Sequence, residues 1–177
     1  KIALEAIGLV IPGVGAFAAC MNGLKSVGGD EIARERVALG RPTLGICIGM
    51  QILFESGLEH AENGAHQGVG IWAGMVKKLN APILPHMGWN TLQVESPAHP
   101  LLQGITAADY VYFVHSFAVQ PSPYMLASCD YGSKFAAVIG RRNVLGMQFH
   151  PERSGKVGAR LLQNFIQLDA QSLRAPD

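Results

Sequence analysis

Thr43-Leu44-Gly45-Ile46-Cys47-Ile48-Gly49-Met50-Gln51 runs from a short apolar strand signal into a cysteine bracketed by glycines. An apolar, helix-compatible segment follows through Phe54 and Glu55. This is the layout of a nucleophile elbow, in which a strand turns sharply into a helix and holds one side chain at the apex. The backbone of such a turn crowds its neighbours, and Gly45 and Gly49 remove the Cβ atoms that would collide. At the apex, Cys47 is expected to lie over a helix N-terminus, where unpaired N–H groups favour the thiolate and can hold an oxyanion. A short pattern of this kind also fits a small buried cysteine at a strand end, so the elbow has to be weighed against the rest of the chain.

Upstream, Gly8-Leu9-Val10-Ile11 reads as a buried strand closed by the tight loop Pro12-Gly13-Val14-Gly15. Ala16 to Val27 reads as a helix stopped by Gly28-Gly29, and Asp30 is the expected N-cap of a second helix from Glu31 to Leu39. Strand, helix, strand and helix with short connections predict an α/β fold with a parallel sheet covered on both faces. Downstream, Ser56 to Gly70 reads as loop. Glu59, His60, Glu62 and His66 fall there in no metal-ligand spacing, so no metal is expected.

Short β-type runs follow at Gly74–Leu79, Thr91–Glu95, Tyr110–Val119, Met125–Cys129, Phe135–Ile139 and Val144–Phe149. Arg141-Arg142-Asn143 is the expected turn of a closing hairpin. Pro85-His86-Met87-Gly88-Trp89-Asn90 reads as an irregular packed loop. Ser154 is the expected cap of a last helix, Gly155 to Leu168, with Val157, Leu161, Leu162, Phe165 and Ile166 on one face. Arg174 to Asp177 reads as a frayed end.

The chain has 177 residues, with 14 Lys and Arg against 13 Asp and Glu, a balance that offers no polyanion-binding surface. No apolar run reaches the length of a bilayer crossing, and no linker or repeat divides residues 1–177, so one domain is expected. The 3 cysteines form no C-x-x-C pair, which argues against a disulfide framework or thiolate zinc site and for a reducing, cytoplasmic compartment.

Gln148-Phe149-His150-Pro151-Glu152 supplies what the elbow lacks. Pro151 keeps His150 extended, and side chains two apart in an extended segment project to one side. Glu152 can therefore fix the His150 tautomer while His150 takes a proton from Cys47 and returns it to a leaving group. An elbow cysteine with a late His-x-Glu is the layout of a cysteine hydrolase on an α/β sheet, a class that includes peptidases.

Gly45–Gln51 and the late His-Pro-Glu together resemble the class I (triad) glutamine amidotransferases, whose domain is flavodoxin-like; the resemblance implies a mixed, mostly parallel sheet with helices on both faces. Pro12–Phe17, Pro85–Asn90, Tyr112–Ser116 and Gly146–Ser154 narrow the resemblance to the glutaminase subunits of imidazole glycerol phosphate synthase. The resemblance implies glutamine hydrolysis by Cys47, His150 and Glu152, with no cofactor. It also implies an oxyanion hole from Ile48 and the Val14–Gly15 loop, and glutamine contacts from Gln51, Glu59, Ser116 and Phe117. The family places a tyrosine where Phe117 stands. Trp89, Asn90 and Arg153 match positions facing a (β/α)8-barrel cyclase subunit, the expected heterodimeric partner. The family opens with a further strand and helix before Leu9, so the resemblance implies that this N-terminal piece is missing from the chain, which begins at Lys1.

Overall fold

A computed structural model describes residues 1–62 and 64–168; the expected frayed end at 174–177 lies outside them. The elbow lies where the sheet is parallel. Strand β1 (Leu9–Gly13) and β2 (Thr43–Cys47) pair in parallel with Gly13 opposite Cys47, so the loop after β1 stands beside the thiol. Between them come helices α2 (Phe17–Ser26) and α3 (Gly29–Ala38), after a single turn α1 (Ile2–Glu5) at the start. All of β2 is buried, as a strand covered on both faces must be.

After β2 the chain turns at once into α4 (Ile48–Gln51), far shorter than the helix expected through Glu55. Phe54–Gly57 forms β3 instead, because its side chains find partners: Phe54 packs on Trp72 and pairs with β5 (Trp72–Lys78). The expected loop at 56–70 holds a second short strand, β4 (His66–Gln67), paired to β3. The irregular loop expected at 85–90 is β6 (His86–Thr91). It pairs residue by residue with β8 (Tyr110–His115), from His86 opposite His115 to Thr91 opposite Tyr110. Gly88 and the want of clean alternation hide this strand in sequence; its partner supplies the order.

Strands β7 (Gln93–Val94), β9 (Phe117–Val119), β10 (Met125–Asp130), β11 (Lys134–Arg141) and β12 (Val144–Met147) complete the sheets. The main sheet has the order β1-β2-β12-β11-β10-β7, with β4-β3-β5-β9 and β6-β8 as smaller sheets. It is mixed as expected, although the parallel share is smaller: β1, β2 and β12 run parallel, and β11, β10 and β7 are joined antiparallel. The β11–β12 hairpin turns where Arg141-Arg142-Asn143 predicts.

Helix α3 begins a residue before the expected cap. Gly28, with φ of 66°, stands at the cap, and Asp30 pairs with Arg34 at 3.1 Å one turn on. Arg36 of α3 is fully buried and has no carboxylate partner among the described residues. Its guanidinium instead donates to the carbonyls of Ala3, Leu4, Ala6 and Pro42, which fastens the first residues to the sheet.

The last helix, α5 (Gly155–Gln167), buries Leu161 and Phe165 but leaves Ile166 exposed, contrary to expectation, since the face centres on Phe165. β1 is the edge of the main sheet, and Ile7, Val10, Leu162 and Phe165 border an apolar cavity of about 330 Å³ beside it. Among the described residues no helix is long and apolar enough to cross a membrane.

Candidate active site

Cys47 ends β2 and opens α4 with φ of 54° and ψ of −116°, a backbone conformation rare for a residue with a side chain. Such strain persists only where the surroundings over-determine it. A Cβ on Gly49 would fall 1.8 Å from the Ile11 oxygen, and one on Gly45 would fall 2.6 Å from the Gly49 oxygen. The elbow is therefore held by backbone packed on backbone.

His150, from the other end of the chain, is held by a clamp on β8. Its N–H donates to the Tyr112 carbonyl at 2.9 Å. The Ser154 hydroxyl donates to the His150 carbonyl at 2.7 Å and accepts from the Tyr112 N–H at 3.0 Å. Ser154 thus makes no side-chain cap on α5, the role expected of it; its oxygen is spent on holding His150. His150 is extended, as its proline neighbour requires, and Pro151–Arg153 then form a 3-10 turn. That turn, not continued strand, brings the Glu152 Oε1 to 2.7 Å from the His150 Nδ1. The carboxylate places the proton on Nδ1 and leaves Nε2 for other chemistry.

One cavity of about 490 Å³ joins these groups: Cys47, His150 and Glu152 all line it. Val14, Gly15 and Ile48 border it too, as do Gln51, Glu59, Ser116, Phe117 and Arg153. Within it the Cys47 thiol points at the Val114 carbonyl, 4.0 Å away. Glu59 also has a structural task, accepting from the Phe17 N–H at 2.8 Å and so capping α2. Gln51 is fully buried, donates to the Phe117 carbonyl at 2.8 Å, and has an Oε1 with no hydrogen-bond partner among the described residues.

The thiol's ionisation departs from the sequence expectation. Burial pushes the Cys47 thiol up to about 11, and the Glu152 and Glu59 carboxylates add to the rise. The Ile48 N–H opposes it without prevailing. A single-turn helix has a small dipole, so desolvation of the thiolate wins. The resting residue is a thiol and needs a base.

Trp89 and Asn90 stand apart from the cavity on the β6–β8 ribbon. Trp89 is exposed and packs edge-on against Tyr112, and the Arg153 guanidinium lies 4.9 Å above the same ring. Asn90 donates to the Asp130 carbonyl at 3.1 Å. Among the described residues no cluster of three or more His, Cys, Asp or Glu is placed to hold a metal.

Three polar groups near the site had no role in the sequence reading. Gln148, fully buried, lies two residues before His150, and that spacing alone could have flagged it. His86 and His115, on paired strands, share a hydrogen bond of 3.1 Å, and the His115 Nδ1 donates to the Phe117 carbonyl at 2.9 Å. Burial holds His86 down to about 4 and His115 down to about 3. In the unfolded chain both return to about 6.5 and bind protons that the folded pair refuses. Their stabilisation is therefore complete above about pH 6.5 and is lost as pH falls toward 4, by up to about 1.4 kcal/mol per pH unit for each. The melting temperature should already fall between pH 6.5 and 5, above the range of ordinary carboxylates; a flat profile there would contradict this.

The sequence profile of the family "Glutamine amidotransferase class-I" matches residues 5–168. Imidazole glycerol phosphate synthase subunit HisH of Nocardia farcinica is 48% identical over 174 residues, covering 93% of this chain and 81% of that protein. The subunit of the same name from Thermobifida fusca is 46% identical over 175 residues, with 93% and 81% covered. Among solved structures, one described as a glutamine amidotransferase superposes with a TM-score of 0.67 at 20% identity, covering 90% of this chain and 77% of the other. PurLQS from Thermotoga maritima gives 0.63 at 20% identity, covering 89% and 78%. At such identities the likeness is one of fold. The profile spans nearly all the described residues and agrees with the elbow and the late histidine, and on that ground the chain belongs to the class I glutamine amidotransferase family.

Proposed function

We propose that this chain is the glutamine-hydrolysing subunit of an imidazole glycerol phosphate synthase, in histidine biosynthesis. The observation that carries the reading is the opening of Cys47, His150 and Glu152 onto one cavity, together with identity approaching half to HisH subunits. His150 Nε2 takes the thiol proton, and the Cys47 sulfur attacks the side-chain amide carbon of glutamine. The oxyanion is held by the Ile48 N–H and an N–H of the Val14–Gly15 loop. His150 returns the proton to the nitrogen, the C–N bond breaks and ammonia leaves. Water, giving its proton to the same imidazole, then hydrolyses the thioester to glutamate and regenerates the thiol. Gln51, Glu59, Ser116 and Phe117, which border the cavity, bind the glutamine.

Free ammonia protonates in water and loses its nucleophilicity, so a consuming subunit has to receive it directly. That partner is a (β/α)8-barrel cyclase, and the heterodimer forms over the ribbon bearing Trp89 and Asn90 and over Arg153. Exposed Trp89, edge-on to Tyr112 with Arg153 over the Tyr112 ring, has the aromatic and arginine character of an interface anchor. Residues 1–177 act as one domain in the cytoplasm, where Cys20, Cys47 and Cys129, all free, remain reduced. The test is glutamate release from glutamine by the chain co-purified with its cyclase subunit, with and without the acceptor nucleotide. Release that depends on Cys47 and rises when the acceptor site is loaded is expected. Release unaffected by Cys47→Ala would remove the proposal.

A further inference from the structure

A carbonyl oxygen can only accept hydrogen bonds, so a carbonyl that contacts an amide side chain decides which way that amide faces. The Phe117 carbonyl contacts Gln51 at 2.8 Å, and the atom facing it must be the Nε2. The second hydrogen of that nitrogen goes to Gln148 Oε1 at 3.0 Å. Gln148 is thereby fixed as well, and its Nε2 is turned toward the Cys47 sulfur at 3.8 Å. Flipping either amide would set oxygen against oxygen or nitrogen against nitrogen in a fully buried place. The sulfur consequently accepts from Gln148 on one side and directs its own S–H to the Val114 carbonyl on the other.

We propose that Gln148 is a catalytic residue whose amide N–H holds the Cys47 thiolate, with its direction dictated by Gln51 and the Phe117 carbonyl. The inference rests on Cys47 being the nucleophile. When His150 removes the thiol proton, the S–H···O contact to Val114 disappears and the carbonyl faces a negative sulfur. The N–H···S contact from Gln148 then becomes a charge-assisted one and strengthens. With the Ile48 N–H it gives the thiolate a second donor in a site that otherwise disfavours charge. The same donor acts when the thioester breaks and the sulfur leaves as thiolate, so Gln148 serves both halves of the reaction. The titratable groups around the sulfur are His115, His150, Glu152, Glu59, Arg153 and Cys20. None of them can replace a fixed neutral donor.

The test uses the full chain and reads alkylation of Cys47 by iodoacetamide against pH, located by mass spectrometry. Two variants are compared, Gln148→Glu, which still accepts from Gln51 but offers the sulfur only a negative oxygen, and Gln148→Met, a buried apolar near-isostere. Where the rate rises tenfold per pH unit, the Gln148→Met line is expected about three- to tenfold below the parent and Gln148→Glu at least tenfold below it. Gln148→Met decides the matter if Gln148→Glu does not fold. A role confined to packing would lower the melting temperature and leave the alkylation line of folded protein in place. That outcome overturns the proposal even where Cys47→Ala abolishes glutamate release and so upholds the glutaminase reading. Glutamate release that survives Cys47→Ala removes both.

Discussion

His150→Asn is expected to lower glutamine hydrolysis at neutral pH by about a thousandfold or more, and the small remaining rate should climb about tenfold per pH unit. The reason is the state of the nucleophile. Burial holds the Cys47 thiol up to about 11, so at neutral pH only a minute fraction is thiolate without a base beside it. The Glu152 carboxylate at 2.7 Å fixes the orientation and tautomer of the imidazole, which leaves Nε2 for the proton transfer proposed here. Without the imidazole, hydroxide has to deprotonate the thiol, which gives the rising residual rate. Cys47→Ala has no such residue of activity, because no sulfur remains to ionise. Steady-state glutamate formation from pH 6 to 10, in complex with the partner subunit of the synthase, checks both. A His150→Asn enzyme with parental rates at pH 7 would mean that the imidazole handles no proton.

Gly49→Ala should be among the most destabilising single-methyl additions this chain can receive. The new Cβ would lie 1.8 Å from the Ile11 oxygen and 2.7 Å from the Ile11 carbonyl carbon. Both belong to β1, which is bound in register to β2 and cannot move away without breaking the parallel ladder. The glycine is there because α4 and β1 approach backbone to backbone. The expected cost is about 4 kcal/mol or more, equivalent to a fall of roughly 8–16 °C in melting temperature for a domain of this size. Any folded remainder should lose the elbow geometry and its fast thiol chemistry. Gly23→Ala is the control. It lies within α2 with nothing within 4 Å of a new Cβ, so it should be neutral or stabilise by about 0.5–1 kcal/mol. Equal melting temperatures for the two variants would contradict the steric argument.

Local chemistry wrote much of this molecule into its sequence. The glycines around Cys47, the turn at Arg141–Asn143 and the apolar spacing of α5 depend on neighbours a few residues away. The elbow, the closing hairpin and the last helix were legible for that reason. Residue types at two distant places, Cys47 and His150-Pro151-Glu152, were sufficient to point to the family that the chain belongs to. Short-range pattern failed where the partner lies far along the chain. His86–Thr91 has no strand period of its own and is ordered by Tyr110–His115. Phe54–Gly57 continues a helical pattern and is taken by Trp72–Lys78 into a sheet. Ser154 had the place of a cap, and a strand 42 residues earlier takes its oxygen instead.

The sequence by itself determined the fold class, the elbow and the residue types proposed for the chemistry, because sterics and proton affinity are properties of the residues themselves. Only the tertiary structure decided that the thiol rests protonated, that Gln148 faces the sulfur, and that Glu59 is shared between cavity and helix cap. Each of these depends on which groups are removed from water and which distant donors or acceptors stand beside them, and the packed interior alone sets that.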